Sequence, residues 1–149
     1  MMPIRRATLA DAAAIRDLTR SAYAKWVPLI GREPKPMGAD YDAAVRHHLI
    51  ELLFLGDTLA GLAEMIPQPD HLMLENLAVA PAHQGQGLGR QLMARVEAVA
   101  AELGHAEIRL YTNARFAENI ALYRRLGYRL DREEVVPAGN VAHMSKRLG

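Results

Sequence analysis

The chain has no cysteine among its 149 residues, which excludes disulfides, a thiol nucleophile and any thiolate metal site. It also lacks an excess of charge. Eighteen basic against 17 acidic side chains leave a net charge of +1, and the basic residues are scattered, so no footprint for a nucleic acid or an anionic membrane stands out. No amino-terminal stretch is apolar enough for a signal peptide or a membrane span, so the expected location is cytoplasmic. The six histidines (His47, His48, His71, His83, His105, His143) show neither HExxH nor another compact ligand spacing, and no metal site is expected.

Half of the residues are apolar, enough for one good core. The length suits one domain, 1–149, rather than two. Ile4 to Ala7 reads as a strand. Thr8 with Asp11 forms a capping-box pattern before the helical spacing of Ala12, Ile15, Leu18 and Ala22. The segment "YAKWVPLIGREPKPM" holds three prolines and a glycine and reads as an apolar loop. Asp40 can cap a short helix through His47 or His48. Glu51 to Leu55 and Leu59 to Ile66 flank "GDT" as a hairpin. Leu72 to Val79 is a strand, Leu88 to Leu103 a helix, "GHAEIRLYT" a strand, and Ala117 to Leu126 a helix stopped by Gly127. Tyr128 to Glu133 and Val141 to Arg147 form a terminal pair around "PAGN". The order β-α-α-β-β-β-α-β-α-β-β suits a mixed sheet with helices on both faces.

The segment "PAHQGQGLGRQLM" carries Gly85, Gly87 and Gly89 between the strand at 72–79 and the helix that follows. Glycines there can turn successive N–H groups toward one anion, and the first helical turn adds its own unpaired donors. A tight strand-helix turn that binds nothing has the same spacing. A Walker A loop is excluded, because Gly89 is followed by Arg90 and Gln91 instead of Lys-Ser/Thr. The dinucleotide fingerprint fits poorly, because the spacing is GxGxG and Glu107 precedes the next strand.

The segment resembles the cofactor signature of the GNAT superfamily of acyl-CoA-dependent N-acetyltransferases, Gln/Arg-x-x-Gly-x-Gly/Ala, with Gln84, Gly87 and Gly89 in its place after "ENLAVAPAH". The resemblance implies an α/β, single-domain fold: a mixed, mostly antiparallel sheet flanked by helices, with a splayed central strand pair. It implies acetyl-CoA as donor, its pyrophosphate held by backbone amides of Gln84, Gly85, Gln86, Gly87, Leu88, Gly89 and Arg90. Pantetheine is implied to run along the backbone of Leu77, Ala78 and Val79.

"NIALYRRLGY" resembles a second family segment, LY-x-x-x-G-F/Y. Counting by threes and fours puts Asn119, Leu122, Tyr123 and Leu126 on one side of a helix. The count alone leaves Tyr123 open as a half-buried core tyrosine. The resemblance implies that it lies near the acyl sulfur and protonates the departing thiolate. The chain departs from the family at Phe116, seven residues earlier, where many members have a cofactor-contacting asparagine. Asn119 and Asn113 are the nearby amides that can replace part of that contact, and Asn119 can equally cap the helix.

Acyl transfer to a primary amine of pKa near 10 first needs a proton removed, about 4 kcal/mol uphill at pH 7. Strict alternation puts Glu75 on one face with Met73, Leu77 and Val79, and the family sometimes has its proton acceptor on this strand. Met73, at another family base position, cannot serve. Glu75 is the leading base, with a structural charge as the other reading, and Glu64 and His71 stand behind it. His83 reads as a loop residue, and Arg90 and Arg95 as helix-surface charges or contacts to the adenosine phosphate. Tyr23, Trp26, Arg32 and Met37 can cover a small amine or amino-acid-like acceptor, or dock on the core or at a homodimer interface. The expected function is N-acetyl transfer from acetyl-CoA to an amine on a small molecule by direct attack, with a peptide or protein amine as the other acceptor. A noncatalytic acyl-CoA sensor or interaction domain is the alternative, because fold does not fix activity.

Overall fold

A computed structural model describes residues 4–137 and 139–149. In chain order the elements are β1 (Ile4–Arg6), α1 (Ala12–Tyr23), α2 (Val27–Ile30), α3 (Tyr41–His47), β2 (Leu49–Leu55), β3 (Thr58–Pro67), β4 (Leu72–Val79), α4 (Leu88–Glu102), β5 (Glu107–Asn113), α5 (Ala117–Arg125), β6 (Arg129–Glu134) and β7 (Val141–Arg147). The seven strands make one sheet in the order β1-β2-β3-β4-β5-β7-β6. Every neighbouring pair is antiparallel except β4 and β5.

Local chemistry explains most boundaries. The Thr8 N–H donates to the Asp11 carboxylate at 2.8 Å, closing the expected box, and Asp40 caps α3 by accepting from the Ala43 N–H at 3.2 Å. Gly56, at φ +61°, turns the β2-β3 hairpin, and Gly127, at φ +95°, follows α5. The "PAGN" turn includes Ala138, which lies outside the described residues. The stretch expected to be an irregular loop is instead a run of short helical turns at Ala24–Trp26, Val27–Ile30 and Lys35–Gly38. Pro28 and Pro36 occupy first-turn positions that need no N–H donor, so they start these turns instead of breaking them. Among the described residues, no helix is long and apolar enough to cross a membrane.

Two cores lie on opposite faces of the sheet. Leu92, Met93 and Val96 of α4 are fully buried with Leu72, Leu74, Ile108 and Met144 beneath them, and Tyr123 of α5 joins this cluster. Burying each such aliphatic side chain contributes roughly 1.5–3 kcal/mol. On the other face Ile15, Leu18 and Ala22 of α1 pack with Tyr41 and Ala44 of α3 over Ile50, Leu52, Leu62 and Ala78.

Two irregularities at the centre of the sheet create its functional geometry. β4 pairs with β5 only through Leu72–Leu74 against Ile108–Leu110, so beyond Leu74 the strands diverge. On its other side Glu64 of β3 faces Asn76 while Met65 faces Leu74, leaving Glu75 as the extra residue of a β-bulge. The bulge overturns the expected alternation. Leu72 and Leu74 lie on the α4 face, and so do Leu77 and Val79. Asn76 and Ala78 turn toward α1. Glu75 therefore does not share a face with Leu77 and Val79.

Candidate active site

The loop leaving β4 runs through one 3-10 turn, Pro81–His83, to Gln84 and the glycines. Gly85 and Gly87 both have φ +80°, and a Cβ at either would meet nothing within 4 Å. Their requirement is conformational, since an L-residue in this region costs roughly 1–2 kcal/mol. Gly89 is different: a Cβ there would lie 3.2 Å from Leu122 Cδ2, so it lets α4 approach α5. Gly87 caps α4, and Gln91 is the first residue of the helix whose N–H is taken, by Gly87 O at 3.2 Å. The N–H groups of Leu88, Gly89 and Arg90 have no intrahelical partner. They open on a cleft of about 530 Å³ that continues past Leu77–Val79 of β4 to Asn119 and Leu122 of α5.

The wall of the cleft that follows α1 is fastened across it. Lys25 Nζ donates to Glu118 of α5 at 3.0 Å and to Gln84 Oε1 at 3.2 Å. Gln84 Nε2 in turn donates to the Val79 carbonyl at 3.0 Å. Trp26 stacks on Phe116 with centroids 4.5 Å apart and planes 17° from parallel. Phe116 is thus an apolar anchor at the start of α5, where an amide had been the family expectation. Asn119 lines the cleft, one helical turn before Tyr123. Tyr123 itself is set behind the wall, 5% exposed, its ring 5.9 Å from that of Tyr128. Burial raises its pKa, so the phenol keeps its proton.

The opposite face of the opening is polar. The Glu75 carboxylate accepts from Tyr111 Oη at 2.5 Å across the diverging strands, and burial with this carboxylate contact raises the Tyr111 pKa. Asn76 is saturated: its Oδ1 accepts from Tyr23 Oη at 2.9 Å, and its Nδ2 donates to Thr19 and Tyr41, each at 3.3 Å. Tyr23 also reaches the Leu77 carbonyl at 3.3 Å. Burial pushes the Tyr41 phenol to about 12. Glu64 is 4% exposed and pairs with His48 at 2.6 Å; burial raises its pKa against the opposing histidine contact.

The four residues expected to cover an acceptor do not converge. Trp26 and Tyr23 line the cleft but are themselves buried in contacts. Met37 is 5% exposed in the core under α1, which corrects its reading as an acceptor contact. Arg32 lies on an exposed stretch after α2. Arg95 is spent on the buried Glu51 carboxylate at 2.6 Å, a structural ion pair shared with Arg6. Arg90 lines the cleft, exposed, with no ion pair among the described residues. His71 pairs with Asp70 at the closed end of β4, away from the opening, so it drops out as a base. Sequence reasoning missed Tyr111, His48 and the Lys25–Glu118 bridge, because their partners lie in distant segments with no shared motif.

Comparison with known proteins is consistent with this geometry. Residues 13–128 match the profile described as the acetyltransferase (GNAT) family. Over 89 residues the chain is 33% identical to N-alpha-acetyltransferase 80 of Mus musculus, covering 60% of this chain and 26% of that protein. Over 123 residues it is 34% identical to mycothiol acetyltransferase of Nocardia farcinica, covering 82% of this chain and 38% of that protein. The chain thus spans well under half the length of either curated relative. The crystal structure of PaiA N-acetyltransferase from Thermoplasma acidophilum in complex with coenzyme A superposes with a TM-score of 0.78 at 16% identity, covering 99% of each chain.

Proposed function

The chain belongs to the GNAT family of acetyltransferases, and from that membership we propose that it transfers an acetyl group from acetyl-CoA to an amine by direct attack, with residues 1–149 acting as one domain. The carrying observation is the three-residue limit of β4-β5 pairing, which leaves an opening with the glycine loop on one side and the Glu75 bulge on the other.

The residues present fit the donor. The left-handed glycines and the free first-turn N–H groups of α4 form a cradle open to an anion, and Arg90 stands beside it. Backbone from Gln84 to Arg90 holds the pyrophosphate, and the β4 edge at Leu77, Ala78 and Val79, with Asn119, holds pantetheine. Gln84 then gives up its bond to the Val79 carbonyl. The bound donor supplies a thioester, an activated acyl group on a thiol leaving group. Tyr123 gives its phenolic proton to the leaving sulfur, and Glu75, steadied by Tyr111, accepts the proton of the amine. The chain has no cysteine to carry a thioester intermediate, which favours direct attack.

The acceptor we propose is a small-molecule amine. The two curated relatives are named for different acceptors, one an N-alpha-acetyltransferase and one acting on mycothiol chemistry, so the argument rests on the site. Tyr23 and Trp26 are bulky and buried beside the cleft, which we take to favour a compact amine over a peptide. We further propose a cytoplasmic homodimer. The terminal strands and the apolar stretch after α1 are the contact surfaces of this proposal, although the bulge at Asp131 and the charged side chains of β6 disfavour plain strand addition at that edge.

The deciding experiment offers acetyl-CoA with polyamines, free amino acids, aminoglycosides and a peptide with a free α-amine, detects released thiol and identifies products by mass. Acetylated product from a small amine supports the reading. Tight acetyl-CoA binding with no product from any of these amines replaces it with a noncatalytic acyl-CoA sensor.

A further inference from the structure

The last peptide unit of β4 faces two ways. Its Ala80 N–H donates to the Ala60 carbonyl of β3 at 2.8 Å. In a trans peptide the N–H and the C=O point in opposite directions, so the Val79 carbonyl of the same unit faces away from β3, into the opening where β5 has diverged. Its partner there is Gln84 Nε2 at 3.0 Å. The other end of that carboxamide, Oε1, accepts from Lys25 Nζ at 3.2 Å, which fixes the way the amide is turned. Lys25 Nζ also donates to Glu118 of α5 at 3.0 Å and lies 4.9 Å from the centre of the Trp26 ring. One ammonium thus ties the glycine loop to α5, and all three side chains line the donor cleft. The stack of Trp26 on Phe116, and a bond from Arg115 to the Leu29 carbonyl at 3.2 Å, hold the same turns against the start of α5. The Lys25 side chain is 38% exposed and that of Glu118 is 71% exposed, so the bridge breaks at little cost.

We propose that Lys25 and Gln84 are a latch on the donor cleft: in the free protein Lys25 holds the Gln84 carboxamide on the Val79 carbonyl, and acetyl-CoA seats only after that bond is released. The inference rests on the acetyl-CoA reading of this cleft. Pantetheine carries amide N–H groups, and the Val79 carbonyl is an acceptor aimed into its path, so Gln84 and the donor compete for one oxygen. A strand-edge carbonyl is costly to leave unpaired. The latch satisfies it while the cleft is empty, and the donor satisfies it when the cleft is full. Lys25 is a positioning residue in this scheme, since it acts through Gln84, and Glu118 keeps it within reach. The closed state reduces the fraction of molecules ready to bind, and the apparent affinity for the donor falls by that fraction.

Two variants separate a latch from a structural bridge. Gln84→Ala frees the Val79 carbonyl without changing the charge of the cleft, and Lys25→Met removes the ammonium while keeping an apolar stem beside Trp26. Trp26 is the one tryptophan of the chain and lines the cleft, so its fluorescence reports the association of acetyl-CoA, and calorimetry gives the affinity. The measurements are made at roughly 0.3 M salt, where long-range attraction between Lys25 and the donor phosphates is screened. Both variants should associate with acetyl-CoA roughly twofold to fivefold faster than wild type, and bind it tighter by the same factor, with the dissociation rate unchanged. The double variant should be no faster than Gln84→Ala, because Lys25 acts through Gln84. A Gln84→Ala protein that associates no faster than wild type overturns the proposal and leaves these bonds structural. So does a Lys25→Met protein that releases acetyl-CoA faster, because Lys25 would then touch the bound donor. If Lys25→Met does not fold, Gln84→Ala decides alone. A wild-type protein that binds no acetyl-CoA removes the acetyl-CoA reading of the cleft, and this inference with it.

Discussion

Tyr111 Oη and Glu75 Oε1 meet at 2.5 Å, joining the two strands where their backbones no longer pair. β-bulges re-aim side chains, and this one turns Glu75 toward Tyr111 instead of along the strand. A carboxylate that must meet an incoming amine benefits from being held, since small displacements of a proton acceptor are expensive in rate.

Tyr111→Phe should therefore lower kcat several-fold while leaving acetyl-CoA affinity unchanged. The phenol acts through Glu75, so Tyr111→Phe/Glu75→Gln should be no slower than Glu75→Gln alone. Steady-state kinetics on the four proteins gives the coupling directly. Additive losses would mean that Tyr111 acts independently of Glu75.

Two of the loop glycines, Gly87 and Gly89, should separate by mechanism. Gly87→Ala forces φ +80° on an alanine, so it should cost about 1–2 kcal/mol of stability and weaken acetyl-CoA binding. Gly87→Asp should weaken binding further, because it adds a negative charge beside the phosphates. Gly89→Ala meets only the tip of Leu122, a flexible side chain, and should be milder in both respects. Thermal denaturation and calorimetry with acetyl-CoA distinguish them. A folded Gly87→Ala or Gly87→Asp protein with undiminished acetyl-CoA affinity would move the anion site elsewhere.

The architecture was largely legible because its signals are local. The β4 strand, the α4 helix and the hairpin around Gly56 each carry their own periodicity and turn chemistry, and the structure places them where the pattern does. The bulge was not legible. Counting by twos assumes an unbroken ladder, and nothing near Glu75 in the sequence announces that Met65 pairs with Leu74 while Glu64 pairs with Asn76. The prolines at 28 and 36 misled for a related reason, since a proline ends a helix or begins one depending on its neighbours. The pairing of Lys25 with Glu118, 93 residues away, exists only once the fold brings α5 beside the turn after α1.

Acid stability should show the Arg5–Asp11 contact. The side-chain hydrogen bonds from Arg5, 2.9 Å to each Asp11 oxygen, hold that carboxyl at about 2 in the folded protein, down from an ordinary 3.8. A depressed carboxyl contributes stability above its unfolded value and loses it as the pH falls, here between about 4 and 2. Arg5 is half exposed, so solvent screening keeps the contribution small. Asp11→Asn should thus be slightly less stable than wild type at pH 6, with the difference vanishing toward pH 2. Urea midpoints measured across this range test it, and a difference that persists at pH 2 would assign the effect to the helix cap instead.

Tyr123 offers the sharpest test of the chemistry because its ring and its hydroxyl do different things. The ring belongs to the core under α4 and contacts Tyr128, so truncation to alanine would confound packing with catalysis. Tyr123→Phe keeps the ring and removes only the oxygen, and folding and acetyl-CoA affinity should change little. Burial raises the pKa of the phenol, which keeps it protonated through the physiological range and fits a donor to sulfur rather than a base toward nitrogen. Turnover should fall by roughly 10²- to 10⁴-fold, the usual contribution of a positioned proton-transfer group. The defect should not be rescued by high pH, unlike the loss expected in Glu75→Gln, because raising the pH neutralises the amine without protonating the leaving thiolate. If product release limits the wild-type enzyme, the steady-state difference shrinks, and pre-steady-state thiol release then reports the chemical step. An unchanged chemical step in Tyr123→Phe would leave the hydroxyl a passenger on a core tyrosine and would require another proton source for the sulfur.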